Sequence, residues 1–299
     1  MWLLLAFGSA FFLGWYDISK KTSLKENAVI PVLFLNVLTC CLIFLPAFLI
    51  SLLQPELLAG TMFHIPRIPF AQHGYLMFKA CIVLSSWLFA YFAMKHLPIT
   101  ITSPVKASQP ILTLVGAMLI FSERLNLYQW IGIILSFVSF YLLSQAGKKE
   151  GISFKRNIWV LFIFMAIITG AISGLYDKYL MSRFDKMTVQ VWYNYYQLIL
   201  MTMILLFLWF PVRKKTTPFH WSWAIPLIAV CLTVSDFLYF WALSYDDSMI
   251  AIVSMIRRGS VIVSFIGGVF LFREKNLKSK ALDLLLVLLG MFFIYLGSK

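Results

Sequence analysis

Three basic residues stand deep inside two apolar segments. Lys106 lies in ITITSPVKASQPILTLVG, and Arg257 and Arg258 lie in IAIVSMIRRGSVIVSFIGG. If the segments are helices, a rise of about 1.5 Å per residue puts these charges about 10 Å from the segment ends. A charge at bilayer depth is costly and by default marks a path for a substrate or an ion. Ser103, Pro104, Ser108, Gln109 and Pro110 surround Lys106. Prolines and polar side chains of this kind suit a helix that lines a cavity. A guanidinium fork fits carboxylate or phosphate oxygens, and an ammonium acts as a point charge. One expectation is a small anionic group held between Lys106 and Arg257, with Arg258 in support. Another is an internal counter-ion: Asp17, Asp177 or Asp236. Snorkelling of the long side chains toward the surface is the third.

The carboxylates carry alternatives of their own. Asp17 follows Tyr16, and Asp177 follows Tyr176, at matching places in two apolar runs. Such groups relay protons, meet a substrate amine, or form salt bridges at a helix end. Asp236, in LTVSDFLYFW, is either a functional group or the buried partner of Arg257 or Arg258. Asn194 and Gln197 carry amides inside a span, and these must bond to another helix or to a solute. The aromatic stretches VWYNYYQL and FLYFWALSY suit a cationic head group, helix packing or a membrane interface equally.

No catalytic set accompanies these residues. His64, His73, His96 and His220 are far apart, and neither H-E-x-x-H, G-x-S-x-G nor a phosphate-binding glycine loop is present. The four cysteines, Cys40, Cys41, Cys81 and Cys231, lie in apolar runs without metal spacing. No enzyme activity, cofactor or metal is expected, and any transport should run on a gradient or on exchange.

The segments that carry these residues must cross a membrane. Hydrophobic residues make up 61% of the 299, and charged residues 12%. A soluble domain carries about 45–50% and about 25%. Ten runs are long enough to span: 2–21, 28–53, 73–94, 99–121, 127–146, 157–181, 187–210, 223–244, 248–272 and 279–297. About 20 apolar residues cross the hydrocarbon as a helix, whereas barrel strands are about half that length and alternate in polarity. The first run reads as a spanning helix, because no basic region precedes it and no small-residue cleavage site follows. The net charge of +13 sits in short loops, the pattern of topology signals and not of nucleic-acid binding.

The chain also repeats itself. Gly14, Tyr16 and Asp17 recur as Gly174, Tyr176 and Asp177 at an offset of 160. Asn36 recurs as Asn194, Ser86 and Ala93 as Ser235 and Ala242, and Lys106, Gly116, Phe121 and Glu123 as Arg257, Gly267, Phe272 and Glu274. The order is the same in both halves. Two five-helix units follow, 1–146 and 157–299, joined by 147–156. Five is odd, so the second unit enters from the opposite side and forms an inverted repeat, the plan of many secondary transporters. Loops after odd-numbered spans carry 15 Lys and Arg against 7 on the other side. The positive-inside rule then puts both termini outside the cytoplasm.

PILTLVGAMLIFSERLNLYQWIGIIL and VIVSFIGGVFLFREKNL each end an apolar helix in an acidic-basic pair. With the ten-helix plan, they make the whole chain resemble the EamA-like branch of the drug/metabolite transporter superfamily. SPVKASQPILT and IRRGSVIVSFIGGVFLF are also similar to the sugar-phosphate/phosphate translocators of plastids. Those carry a Lys-Ala-x-x-Pro stretch and a Lys-Arg pair that hold the substrate phosphate. That resemblance implies phosphate contacts at Lys106, Arg257 and Arg258. Arg-Arg replaces Lys-Arg here, and Gln109 replaces an acidic residue. The expectation is an all-α secondary transporter of a small organic metabolite, anionic or zwitterionic and in some cases phosphorylated. Its setting is a bacterial inner membrane, and it is a monomer or a homodimer. Lys106, Arg257, Arg258, Asn194, Gln197, Tyr16 and Tyr176 are its substrate contacts, and Asp17, Asp177 and Asp236 its coupling or charge-pairing groups. Transport of amines, amino acids or organic cations is the alternative, and a membrane enzyme or sensor is a third.

Overall fold

The computed structural model describes residues 2–109, 112, 126–149, 152, 156–181, 183–243, 256–273 and 277–297. These form ten α-helices: α1 (Trp2–Ser23), α2 (Val29–Leu53), α3 (His73–His96), α4 (Ile99–Ala107), α5 (Leu127–Lys149), α6 (Ile158–Met181), α7 (Lys186–Ile204), α8 (Ala224–Leu243), α9 (Ser260–Phe270) and α10 (Leu277–Leu296). No strand occurs among the described residues. By length and composition, Trp2–Ser23, Val29–Leu53, Phe70–His96, Ile158–Tyr176 and Lys186–Val212 are each able to cross a membrane.

Local chemistry sets several helix starts. Asp185 caps α7, its carboxylate accepting from the Met187 and Thr188 amides at 2.9 and 3.1 Å. Asn126 and Gln129 bond each other's backbone amides reciprocally before the first turn of α5. Asn157 Oδ1 accepts from the Trp159 amide at the start of α6. Each cap supplies a partner to amides that a helix N-terminus leaves unbonded.

Helix directions follow from named contacts. The Lys21 ammonium, near the end of α1, reaches the Met94 and Leu97 carbonyls at the end of α3, so α1 and α3 run parallel. On α8, Ala242 packs with Ala6, and Ser235 bonds Ser9, so α8 runs against α1. On α6, Ala166 accepts from Ser86, and Tyr176 donates to the Tyr75 carbonyl, so α6 runs against α3. Thus α1 and α3 of the first half point opposite to α6 and α8, their counterparts in the second. The repeat is inverted. The packing obeys the same two-fold: α1 on α8 mirrors α6 on α3, while α2 on α7, α4 on α9 and α5 on α10 are self-paired.

The two-fold extends to single hydrogen bonds. Ser86 Oγ donates to the Ala166 carbonyl at 2.8 Å, and Ser235 Oγ donates to the Ser9 carbonyl at 2.9 Å. These equivalent serines tie equivalent helix pairs by the same means, and both Ala93 and Ala242 are fully buried. The main core joins α1, α2, α3, α7 and α8 through Tyr16, Leu33, Val37, Tyr91, Met201 and Ile228.

Candidate functional site

Asp17 is the centre of the first charged cluster. It sits on the C-terminal half of α1, where α3 and α4 come close. Lys106 Nζ, from α4, donates to Asp17 Oδ1 at 2.7 Å, and Lys20 Nζ, one turn along α1, donates to the same oxygen at 2.9 Å. Asp17 and Lys20 are buried, and the Lys106 side chain keeps 27% of its surface exposed. The Tyr16 ring faces both ammonium groups, 4.2 Å from Lys20 and 5.9 Å from Lys106, and Tyr91 lies 5.1 Å from Lys20. Aromatic faces of this kind attract desolvated cations. Tyr16, Asp17 and Lys106 are therefore brought together as one unit. Lys20 and Tyr91 complete it: Lys20 belongs to the basic helix end where a salt bridge to Asp17 was one expectation, and Tyr91 was not singled out.

The sequence of α4 explains how Lys106 gets there. Thr100, Thr102, Ser103 and Ser108 are all buried, and Pro104 interrupts the amide ladder. Thr102 Oγ1 returns to the Pro98 carbonyl, and Ser108 Oγ to the Val105 carbonyl. Thr102 and Ser108 are thus satisfied on the local backbone, whereas Ser103 Oγ is buried without a partner among the described residues.

Arg257 and Asp236 make the second cluster. Arg257 Nη2 pairs with Asp236 Oδ1 on α8, and its guanidinium stacks 4.4 Å from the Tyr239 ring centre. Its Nε is buried without a partner. Arg258 is half-buried and has no carboxylate partner among the described residues. Both Lys106 and Arg257 thus use internal carboxylates. Lys106 takes Asp17 from α1, and Arg257 takes Asp236 from α8.

Depth follows from a close contact between α1 and α9. Gly14 abuts Val263 and the Ser260 carbonyl, and Gly267 abuts Ile18. Arg257 lies three residues before Ser260 and Asp17 three after Gly14, so the clusters are about 9 Å apart along the helix axes at about 1.5 Å per residue. Among the described residues, the two clusters and the adjoining Arg258 hold four cations, Lys20, Lys106, Arg257 and Arg258, and two carboxylates, Asp17 and Asp236, an excess of two positive charges.

The remaining residues lie elsewhere. Asn194 is buried on α7 and donates to the Gln190 carbonyl at 2.7 Å. Gln197, one turn on, is fully buried, and neither end of its amide is bonded. Asn36, the repeat counterpart of Asn194, is likewise fully buried on α2 with both amide atoms unbonded. Tyr176 stands apart from Tyr16, in an open groove between α3 and α6 lined by Tyr75, Phe78, Tyr176 and Tyr179. Asp177 falls on α6, and its side chain lies outside the described residues.

The EamA-like transporter family matches the chain over residues 1–145 and 157–296. A solved structure, described as "Crystal structure of protein", aligns with a TM-score of 0.61 at 16% identity, covering 97% of this chain and 94% of that one. At that identity the likeness establishes the fold alone. No curated protein matches.

Proposed function

Because the chain belongs to the EamA-like transporter family, a family of membrane transporters of small solutes, we propose that it is a secondary transporter of a small organic anion or zwitterion. A metabolite bearing a phosphate or carboxylate is the best candidate. The observation that carries this reading is the excess of positive charge between α1, α4, α8 and the start of α9. Among the described residues, internal carboxylates leave two cations uncompensated, and an anionic solute would supply the missing charge. Arg258 and the accessible side of Lys106 are the contacts we assign. Gln197 and Asn36 offer unbonded amides for the neutral part of the solute, and Asn194 supports them.

Residues 1–146 and 157–299 are taken as the two moving units, with 147–156 as connector. Rocking them about their interface would expose the charged clusters to each side in turn. The setting is a bacterial inner membrane, and the loop charges favour both termini outside the cytoplasm.

The open aromatic groove gives a second reading. Tyr75, Phe78, Tyr176 and Tyr179 present faces suited to a cationic head group, as an amine or organic-cation transporter would need. Efflux from loaded liposomes separates the two. The protein is expected to speed efflux of labelled sugar phosphates or carboxylates, and Lys106→Gln to slow it. Faster efflux of quaternary amines alone would sink the anion reading.

A further inference from the structure

Asp283 is a buried carboxylate that neither charged cluster uses. It sits on α10, fully enclosed, and neither carboxylate oxygen has a hydrogen-bond partner among the described residues. Asp17 and Asp236 differ, since each is held in an ion pair. The helix is sealed at this turn by α5, where Ser139 Oγ donates to the Asp283 backbone carbonyl at 2.9 Å.

The elements packed on α10 provide few groups able to hold a charge there. On α4 the only ionisable side chain is Lys106, and its ammonium is bonded to Asp17. α9 has none, and it meets α10 through Val261, Phe265 and Val269. On α5, Tyr128 and Tyr141 are exposed, and the Lys148 and Lys149 side chains lie outside the described residues. α10 itself carries Lys278, which is exposed, Tyr295, near its far end, and Lys280. Lys280 is fully buried one turn before Asp283, but its ammonium does not bond either Asp283 oxygen.

Among the described residues Asp283 has neither a bond nor a salt-bridge partner for its carboxylate, and an enclosed carboxylate in that state is costly in a membrane helix. A proton removes the charge. We propose that Asp283 is a proton-binding site of the transport cycle, protonated in the sealed conformation and ionised when the α5–α10 contact opens. The inference rests on the transporter reading. The step forms and breaks one O–H bond: the carboxylate takes a proton from water on one side and returns it to water on the other. Neutralising Asp283 also adds to the positive excess around α4 and α9. Proton binding and anion binding then favour each other, and by linkage the effect is reciprocal. The solute and the proton would move together.

Infrared spectroscopy on the full chain in lipid nanodiscs tests the site without any solute. Aspartate is labelled with carbon-13 at the side-chain carboxyl, and the carboxylic-acid carbonyl band is read at neutral pH. The wild type should show a labelled acid band. Asp283→Asn should lose it, and Asp17→Asn should keep it. Asp283→Glu, which preserves the acid but not the label, should also lose it and stands in if the Asn variant fails to fold. Absence of the band in the wild type, or its persistence in the Asp283 variants, would overturn the proposal. Neither result bears on liposome efflux, so failure here and failure of the transport reading remain distinct.

Discussion

Asp17 holds two ammonium groups at once, and this sharing sets the cost of changing each partner. Removing its charge leaves Lys20 and Lys106 buried or half-buried without a counter-ion. Breaking a buried pair from one side costs about 3–5 kcal/mol, so Asp17→Asn is expected to lower the thermal unfolding midpoint sharply. Lys106→Gln should be far milder, because Lys20 still neutralises Asp17. Equal losses in the two variants, measured in the same detergent, would mean that the carboxylate does not bridge both lysines. Much of this arrangement was legible in the sequence. Lys106, Arg257, Asp17 and Asp236 stood out because a charge inside an apolar run is conspicuous, and internal pairing was one of the stated options. Lys280 and Asp283 did not stand out. Each lies within a few residues of other charges at a span end, where burial and exposure give the same sequence pattern. The pairing of Arg257 with Asp236 was one of the two options the sequence left open for that carboxylate.

At the scale of helices, equivalent positions have unequal duties. Gly14 and Gly174 occupy the same place in the two halves, yet a Cβ on Gly14 would press on Val263 and come 3.0 Å from the Ser260 carbonyl. A Cβ on Gly174 would meet nothing within 4 Å. Overpacking of this kind costs about 1–3 kcal/mol. Gly14→Ala should therefore destabilise the protein, while Gly174→Ala should be neutral or mildly stabilising, as alanine favours the helix by about 1 kcal/mol. Parallel melting curves decide the matter, and matching shifts would contradict the α1–α9 contact. The helix boundaries were readable to within a few residues for most spans, because long apolar runs and caps such as Asp185 fix them. What the sequence did not reveal is which helices touch. Gly14 marked the repeat by its identity, and only the packing shows that one copy is a contact point and the other an open position.

The whole molecule is a pair of five-helix units in opposite orientation, with charge gathered where α1, α4, α8 and the start of α9 converge. The repeat was legible from a handful of matched residues and the odd number of spans. The excess of positive charge was not, since it depends on which lysines and arginines share which carboxylates. That excess is the central claim, and thermal stability against a ligand panel tests it most directly. The panel holds sugar phosphates, carboxylates, amino acids and quaternary amines, applied to the wild type and to Arg258→Gln. A ligand at about 100 times its dissociation constant stabilises by about 2.7 kcal/mol, enough to move the midpoint visibly. Stabilisation by anions, lost in Arg258→Gln while the unliganded midpoint holds, is the expected result. Stabilisation by amines alone, surviving the substitution, would contradict the claim and move the solute to the aromatic groove between α3 and α6.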